Sequence, residues 1–408
     1  MEANIQRIQR DIEAINDFNA TPGEGVTRLS FSHEYKGAID YVIEALKKIG
    51  ADVSVRMAGN LQGRLEGSEK GAPSVMVGSH IDTVIHGGRF DGVAGVVSAL
   101  EVARVIVENG ISHRHPVDAV IFAEEEGSRF GSVLVGSRSW VGKLSLDGLG
   151  ALKDRTGLSY TDAMKEGGIT PVDSSVLKSD QVKAMLELHI EQSVVLDNKG
   201  LQIGVVEAIA GIKQFLVTVS GVPNHAGATP MNYRFDAMQG AARIISAVEE
   251  IARGTSEKSV ATVGFVNCEP GLANVIPGRA EFTLDLRDPE AGALHLMERS
   301  VREAIERTCR ERELTYHVGQ RSDTPPIALS GEVITLVEKV ARERGVETLR
   351  MVSGALHDSS IMAELTKVGM VFVPSKEGRS HCLEEFTDLK DIKTGTDILL
   401  ASVIELAK

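Results

Sequence analysis

Cysteine is scarce and poorly placed for cross-linking. Cys268, Cys309 and Cys382 are three in 408 residues, an odd number with no C-x-x-C pair, which argues against both a disulfide framework and a thiolate zinc site. A reducing cytoplasm is the simplest home for such a chain. Positive charge is in deficit too: 44 Lys plus Arg face 57 Asp plus Glu, a net −13. Nucleic acid and anionic membranes both need clustered positive charge, so neither is expected as a partner. No stretch reaches the roughly 18 uncharged apolar residues of a spanning helix. Val93 to Val107 comes nearest and is cut by Glu101 and Arg104. The opening MEANIQRIQRDIEAIN has no apolar run of the secretory kind. Aromatics are only 4% of residues.

Glycine is plentiful, at 41 residues against the usual ~7%, which implies tight backbone somewhere. The 42% apolar and 25% charged content is that of a globular chain, so disordered and fibrous classes are excluded. The length fits two or three units of about 150 residues, or one large α/β domain with an insertion.

Hydrophobic periodicity predicts a helix over Tyr35 to Ile49, stopped at Gly50, then short strands over Asp52 to Met57 and Leu61 to Leu65. SVMVGSH (Ser74 to His80) reads as a strand, followed by a Gly-rich loop, an amphipathic helix over Val93 to Glu108, and a buried strand over Val117 to Ala123. Strand, loop, helix, strand is the βαβ unit of a mostly parallel sheet, whose ligand crevice lies beyond the carboxyl ends of the strands. From Gly211 the texture changes. A strand in QFLVTVSG, a helix over Phe235 to Arg253, strands in SVATVGFV and AEFTLDLRD, a helix over Leu294 to Glu311 and a strand near Leu314 to Val318 make the split βαβ order of a ferredoxin-like domain. The expected fold is therefore α/β. A catalytic domain with a mostly parallel sheet flanked by helices (1–210 and 323–408) is interrupted by a ferredoxin-like α+β domain (211–322).

His80, Asp82 and Asp91 gather around one strand end, Glu124 to Glu126 end another, and His189 and His381 follow in H-I-E and S-H contexts. A triple Glu is ordinarily a solvated face. Here it follows a buried strand, where three adjacent carboxylates without cations would cost several kcal/mol. Divalent metal resolves the conflict, and two His with three carboxylates, one of them bridging, suit two zinc ions, or manganese, cobalt or nickel. Asp91 taken alone reads first as the N-cap of the following helix, a role compatible with ligation. His225 can be an ordinary loop residue, and Arg287 in LDLRD a partner of Asp285 or Asp288. A nicotinamide enzyme is disfavoured, because no G-x-G-x-x-G follows the first strand.

Eight strings recur together: GSHIDTV (Gly78 to Val84), GGRFDG (Gly87 to Gly92), AEEEGSRF (Ala123 to Phe130), ELHIEQ (Glu187 to Gln192), NHAGATPM (Asn224 to Met231), NVIPGRAEFTLDLRD (Asn274 to Asp288), SGALHD (Ser353 to Asp358) and Ser380-His381. With GVTRLSF (Gly25 to Phe31) they span nearly the whole chain. In this order they resemble the amidase, hydantoinase and carbamoylase branch of the dinuclear aminoacylase and carboxypeptidase G superfamily.

The resemblance implies two divalent ions, zinc or else manganese, cobalt or nickel. His80 and Glu126 would serve one and His189 the other, with Asp91 bridging and His381 closing the set. It also implies that Glu125 is the general base and that Asp82 orients His80 through the far ring nitrogen. The peptide after Asp91 is expected to be cis. The inserted domain would be a lid and the interface of a homodimer, with His225 reaching the neighbouring subunit's site as a transition-state donor. Gln192, Asn274, Arg287 and Ala355 would contact a small substrate carrying a carboxylate beside a ureido or carbamoyl group. The implied reaction is hydrolysis of N-carbamoyl-L-amino acids to ammonia, carbon dioxide and the L-amino acid. LDLRD and PGLANVIPG favour that substrate, whereas AEEEGSRF also suits allantoate. An aminoacylase or dipeptidase would use the same metals. A binding protein that has lost catalysis is disfavoured by the intact set of His80, Asp91, Glu125, Glu126, His189 and His381.

Overall fold

The computed structural model describes the whole chain, Met1–Lys408, and resolves it into two compact units. The first comprises Met1–Glu207, Leu329–Met351 and Leu356–Lys408, and the second Ala208–Ala328 with Val352–Ala355. In chain order the first unit opens with α1 (Ile5–Asn16), α2 (His33–Lys48), β1 (Asp52–Val55), β2 (Leu61–Leu65), β3 (Ser74–His80), α3 (Val93–Glu108) and β4 (Val117–Phe122). Short helices α4 (Val135–Trp140), α5 (Leu146–Ala151) and α6 (Tyr160–Glu166) precede β5 (Val182–Ile190), α7 (Val195–Lys199) and β6 (Ile203–Ile209). Then come β7 (Gly211–Ser220), β8 (Asn224–His225), α8 (Ala237–Thr255), β9 (Val260–Thr262), β10 (Val266–Glu269), β11 (Val275–Ile276), β12 (Arg279–Asp288), α9 (Ala291–Glu311), β13 (Thr315–Thr324) and β14 (Ile327–Ala328). The chain closes with α10 (Gly331–Glu343), β15 (Thr348–Ser353), α11 (Asp358–Met362), β16 (Lys367–Val373) and α12 (Leu389–Ala407).

The sheet of the first unit runs β1-β2-β4-β3-β5-β16-β6. Its centre, β4-β3-β5-β16, is parallel and its edges are antiparallel. Parallel strands are covered on both faces, and accordingly every residue of β3 and β4 is buried. The polar residues of these strands can reach open space only at their ends. β3 ends at His80, β4 runs out into Ala123 to Glu126, and β5 carries His189 one residue before its end. Three adjacent parallel strands thus deliver candidate ligands to one edge.

The helix over Val93 to Glu108 forms with the expected limits, but it is not amphipathic. All of Val93 to Ile106 is buried, because α3 packs on β3, β4 and β5 and is covered in turn by α1 and α12. The two charges within that buried stretch are neutralised in place: Glu101 accepts from the Asn4 amide at 2.8 Å and pairs with Arg7, and Arg104 pairs with Asp11. That explains an apolar run nearly long enough to suggest a membrane span, and no helix is long and apolar enough to cross a membrane.

In the second unit the antiparallel order β13-β7-β12-β10 is the 4-1-3-2 arrangement of a ferredoxin-like sheet. Alternate residues Phe215, Val217 and Val219 of β7 and Phe282, Leu284 and Leu286 of β12 form its core with α8 and α9. The single strand expected over Ser259 to Val266 is instead β9 and β10. Both pair with β12, but Thr262 faces Asp285 while Val266 faces Phe282, so one extra residue is accommodated between them. Such a bulge is best placed at a residue with room to bend, and Gly264 has almost nothing around it.

Gly95 lets α3 approach the sheet. A Cβ there would strike the Leu188 carbonyl oxygen and sit 2.6 Å from Ser79 Cβ. Helix propensity favours Ala over Gly by about 1 kcal/mol, yet Gly95→Ala is expected to destabilise by roughly 1–3 kcal/mol through overpacking. Gly292→Ala in α9, with nothing within 4 Å, is expected to be neutral or stabilising. Urea denaturation of both variants checks the reversal of sign.

Candidate metal centre

Asp91 is the hub of the site. Its Oδ1 lies 3.2 Å from His80 Nε2 and 3.3 Å from His189 Nε2. Its Oδ2 lies 3.3 Å from His381 Nε2, which is 3.5 Å from Glu126 Oε1. Two groups of three therefore share one carboxylate: His80, Asp91 and His189, and Asp91, Glu126 and His381. The expected grouping, His80 with Glu126 and His189 apart, is corrected. β3 and β5 are neighbours in parallel register, which sets the imidazoles of His80 and His189 side by side at 5.7 Å between centroids.

The donor set fits divalent metal on its own chemistry. His80 Nδ1 faces the Asp82 carbonyl at 3.1 Å and His189 Nδ1 the Ile190 carbonyl at 2.9 Å. A carbonyl only accepts, so Nδ1 carries a proton in each ring, and with the rings neutral, as metal ligation requires, each Nε2 would turn a lone pair toward a carboxylate oxygen. Acceptors thus face acceptors, and Glu126 Oε1 is buried with no hydrogen-bond partner. Nitrogen and oxygen donors in this arrangement suit zinc, manganese, cobalt or nickel.

Protonation equilibria around Asp91 report the same unbalanced charge. Burial opposes ionisation of Asp91, but His189, His381 and His80 outweigh it and hold its pKa well below the usual carboxylate range. Burial would lower His80, yet Glu125, Asp91 and Asp82 raise its pKa well above the ordinary value. Glu126 is pushed up to about 7, first by burial and then by Asp91. His381 is raised to about 9, chiefly by its hydrogen bond to Asp91. Glu125 lies 3.9 Å from His80 Nε2, and burial, with Glu126, Asp358 and Asp82 adding to it, lifts its pKa well above that of a free carboxylate.

Asp91 does not cap α3. The N-cap is Gly92, with no side-chain capping bond, because the Asp91 carboxylate is turned to the imidazoles. The Asp91–Gly92 peptide is trans; the cis bond of this chain is Glu269–Pro270. Gly92 makes the turn by a φ of +65°, and a Cβ there would lie 2.5 Å from His80 Cε1. Asp82 touches His80 Nδ1 by its backbone carbonyl. Its carboxylate is 3.8 Å away and instead accepts from the amides of Glu125 (3.3 Å) and Glu126 (3.1 Å).

The three glutamates do three different things. Glu124, with a φ of +52°, turns away and accepts from the amides of Arg129 (3.1 Å) and Phe130 (2.9 Å). That frees Glu125 and Glu126 to face the site. Gln192, also left-handed, donates to Asp91 Oδ2 at 2.7 Å, so it lies on the ligand cluster. Sequence reasoning missed the buried support beneath. Glu187 accepts from Ser79 and Ser359, each at 2.6 Å, and the His357 ring lies 4.5 Å from that of His189. The H-D of SGALHD and the first Glu of ELHIEQ were the available signals.

The remaining candidates lie in the second unit. His225 pairs with Val275 across the β8–β11 ladder, and the Ala226 amide donates to the Asn274 carbonyl at 3.0 Å. His225 Nδ1 accepts from the amides of Gly227 and Ala228, both at 3.1 Å, so the neutral ring carries its proton on Nε2 as an exposed donor. Arg287 is bidentate to Asp285 (2.7 and 3.0 Å) and donates to the Gly354 carbonyl at 2.6 Å, beside Ala355. Asp288 is engaged elsewhere, by the hydroxyls of Ser256 and Ser259. Arg287, Asp285, Thr262, Gln214 and Arg321 line a cavity of about 560 Å³.

Comparison with known proteins gives a consistent picture. Residues 76–405 match the model of peptidase family M20/M25/M40. An N-carbamoyl-L-amino-acid amidohydrolase of Paenarthrobacter aurescens is 37% identical, over 98% of this chain and 97% of its own. An allantoate amidohydrolase of Escherichia coli (strain K12) is 34% identical, over 98% of each. The crystal structure of an amidase of the hydantoinase/carbamoylase family from Burkholderia multivorans superposes with a TM-score of 0.96 at 33% identity, over 100% of this chain and 98% of that one.

The division of labour among the glutamates is open to test. Glu124→Ala leaves two loop amides unpaired in a buried turn and is expected to destabilise by roughly 1–3 kcal/mol. Glu124→Gln keeps an acceptor oxygen and should lose much less. Equal losses in urea denaturation would contradict the hydrogen-bond account.

Proposed function

The chain belongs to peptidase family M20/M25/M40, in its hydantoinase and carbamoylase branch, and from that premise we propose a two-metal amidohydrolase acting on N-carbamoyl-L-amino acids. Members of this family are metal-dependent hydrolases, and this chain hydrolyses amide-type C–N bonds. The observation that carries the finer reading is the sharing of Asp91: one oxygen toward His80 and His189, the other toward His381 beside Glu126. His80, Asp91 and His189 would hold one ion, and Asp91, Glu126 and His381 the other. Ions bound there would polarise the scissile carbonyl and acidify a water between them.

The chain's own residues do the rest. Glu125 takes the proton of the attacking water and delivers it to the departing nitrogen. Its place in the buried site, 3.9 Å from His80 Nε2, suits a group that must accept and then return a proton beside the ligands. Asp82 holds the Glu125 and Glu126 amides, and so keeps the base beside the ligands. The Nε2–H of His225 is a donor for the developing oxyanion, supplied across a homodimer. Arg287 exchanges Asp285 for the substrate carboxylate, a planar bidentate grip that Lys cannot give. Asn274, Gln192 and Ala355 complete the substrate contacts. Water adds to the ureido carbonyl, the C–N bond breaks, and the carbamic acid fragment decomposes with release of carbon dioxide. Allantoate presents the same carboxylate beside a ureido group and is the competing substrate.

Ammonia release from N-carbamoyl-L-amino acids and from allantoate, set beside free-amine release from N-acetyl-amino acids, with added zinc, manganese or cobalt, decides the substrate. Turnover of carbamoyl substrates above allantoate is expected, and allantoate preference would replace the reading. Glu125→Gln should lower kcat by about 10²–10⁴-fold while metal content is kept; substantial retained turnover would sink its role as base. Mixing inactive Glu125→Gln and His225→Ala subunits should restore about a quarter of the activity if each subunit of a C2 dimer lends its histidine to the other. No recovery after subunit exchange would place His225 in its own subunit's site or none.

A further inference from the structure

Glu385 has so far no role. It lies four residues beyond His381, in a stretch whose second acidic residue, Glu384, makes an ordinary surface ion pair with Arg379. Glu385 is only 3% exposed, and all its hydrogen bonds go to the two loops that carry Asp91 and His381. Oε1 accepts from the amides of Phe90 (2.8 Å) and Asp91 (3.0 Å). Oε2 accepts from the Ser380 hydroxyl (2.9 Å) and the His381 amide (3.3 Å). The Ser380 hydroxyl also lies 3.2 Å from Asp91 Oδ2. One carboxylate thus ties together two ligand loops nearly three hundred residues apart in the sequence.

A second feature points to the same carboxylate. A Cβ on Gly88 would fall on the Glu385 carboxyl group itself, so the loop Gly87 to Gly92 is shaped around it. The other ligands are held by other means. His80 and His189 sit on β3 and β5 with their rings fixed by backbone carbonyls, and the Glu126 amide is bound by Asp82. Only Asp91 and His381 lean on Glu385, and His381 stands in a loop with a φ of +57°.

We propose that Glu385 is the positioning residue for the ion that Asp91, Glu126 and His381 would hold, an inference that rests on the two-metal reading above. Its removal loosens two ligands of that ion and one ligand of the other. Partners that orient metal ligands typically contribute 10–100-fold to metal affinity. The loss therefore falls unequally on the two ions. In Glu385→Gln, an amide N–H₂ is turned toward the His381 N–H or the Asp91 N–H, a donor against a donor.

The test is metal binding by the purified full-length protein, measured by elemental analysis and by zinc or manganese titration against a competing chelator. In Glu385→Gln, one ion per subunit should be bound about 10–100-fold more weakly and the other within about threefold of wild type. Excess metal should restore the lost activity, which a general loss of folding would not allow. Gly88→Ala, which leaves the Glu385 carboxylate intact but displaces it, should weaken the same ion, and it carries the test if Glu385→Gln does not fold. Unchanged affinity for both ions, or a parallel loss of both with no rescue by metal, overturns the role of Glu385. If wild type itself binds no ion, the two-metal reading fails first; if wild type and both variants bind two ions alike, only the role of Glu385 fails.

Discussion

A single buried carboxylate facing three imidazoles is the constraint on which the rest of this architecture depends. Asp91 can remain ionised at that depth only if positive charge surrounds it, because isolated burial of a carboxylate is strongly opposed by desolvation. His80, His189 and His381 supply part of that charge when protonated. Glu125 and Glu126 add acid to the same space, so protons alone leave the cluster competing for charge, whereas divalent cations would satisfy every lone pair at once. Burial, with Glu126, Asp358 and Asp82 adding to it, raises the proton affinity of Glu125 in the same space.

Such a cluster must be held rigidly, and the fold does this with backbone rather than with side-chain bulk. Parallel strands buried on both faces leave their carboxyl ends as the only polar outlet, and β3, β4 and β5 open there together. α3 reaches the sheet through Gly95, which brings the preceding loop, with Asp91, down onto the two histidines. Glu124, Gln192 and His381 all adopt left-handed backbone, a costly conformation for residues other than glycine that persists where surrounding bonds over-determine it. Those bonds are visible: Glu124 on the amides of Arg129 and Phe130, Gln192 on Asp91, and the His381 amide on Glu385.

Much of the central sheet was legible beforehand because its signals are local. The limits of β3 and α3 follow from apolar runs ended by polar residues and glycine, and the ferredoxin-like order of the second unit follows from alternation on β7 and β12. Burial of α3 on every side was not legible: Glu101 and Arg104 look like solvent-facing charges until Arg7 and Asp11, from a different helix, are seen to meet them. The break between β9 and β10 depends on register with β12, a non-local fact. Arg287 pairs with Asp285, the ordinary reading of LDLRD, and its link to Gly354 could not be read from spacing.

By itself the sequence determined which residue types were available for chemistry and at which strand ends they would emerge, since hydrophobic periodicity and polar termination are properties of short segments. Only the tertiary structure decided who meets whom. It set His80 against His189 rather than Glu126, turned Asp91 from a helix cap into a shared carboxylate, and separated Glu124 from Glu125 and Glu126. It also drew Glu385 out of an apparent surface run into the loops that hold Asp91 and His381. Those outcomes depend on strand order and on contacts between residues far apart in the chain, where a few tenths of an ångström decide whether lone pairs converge on one point.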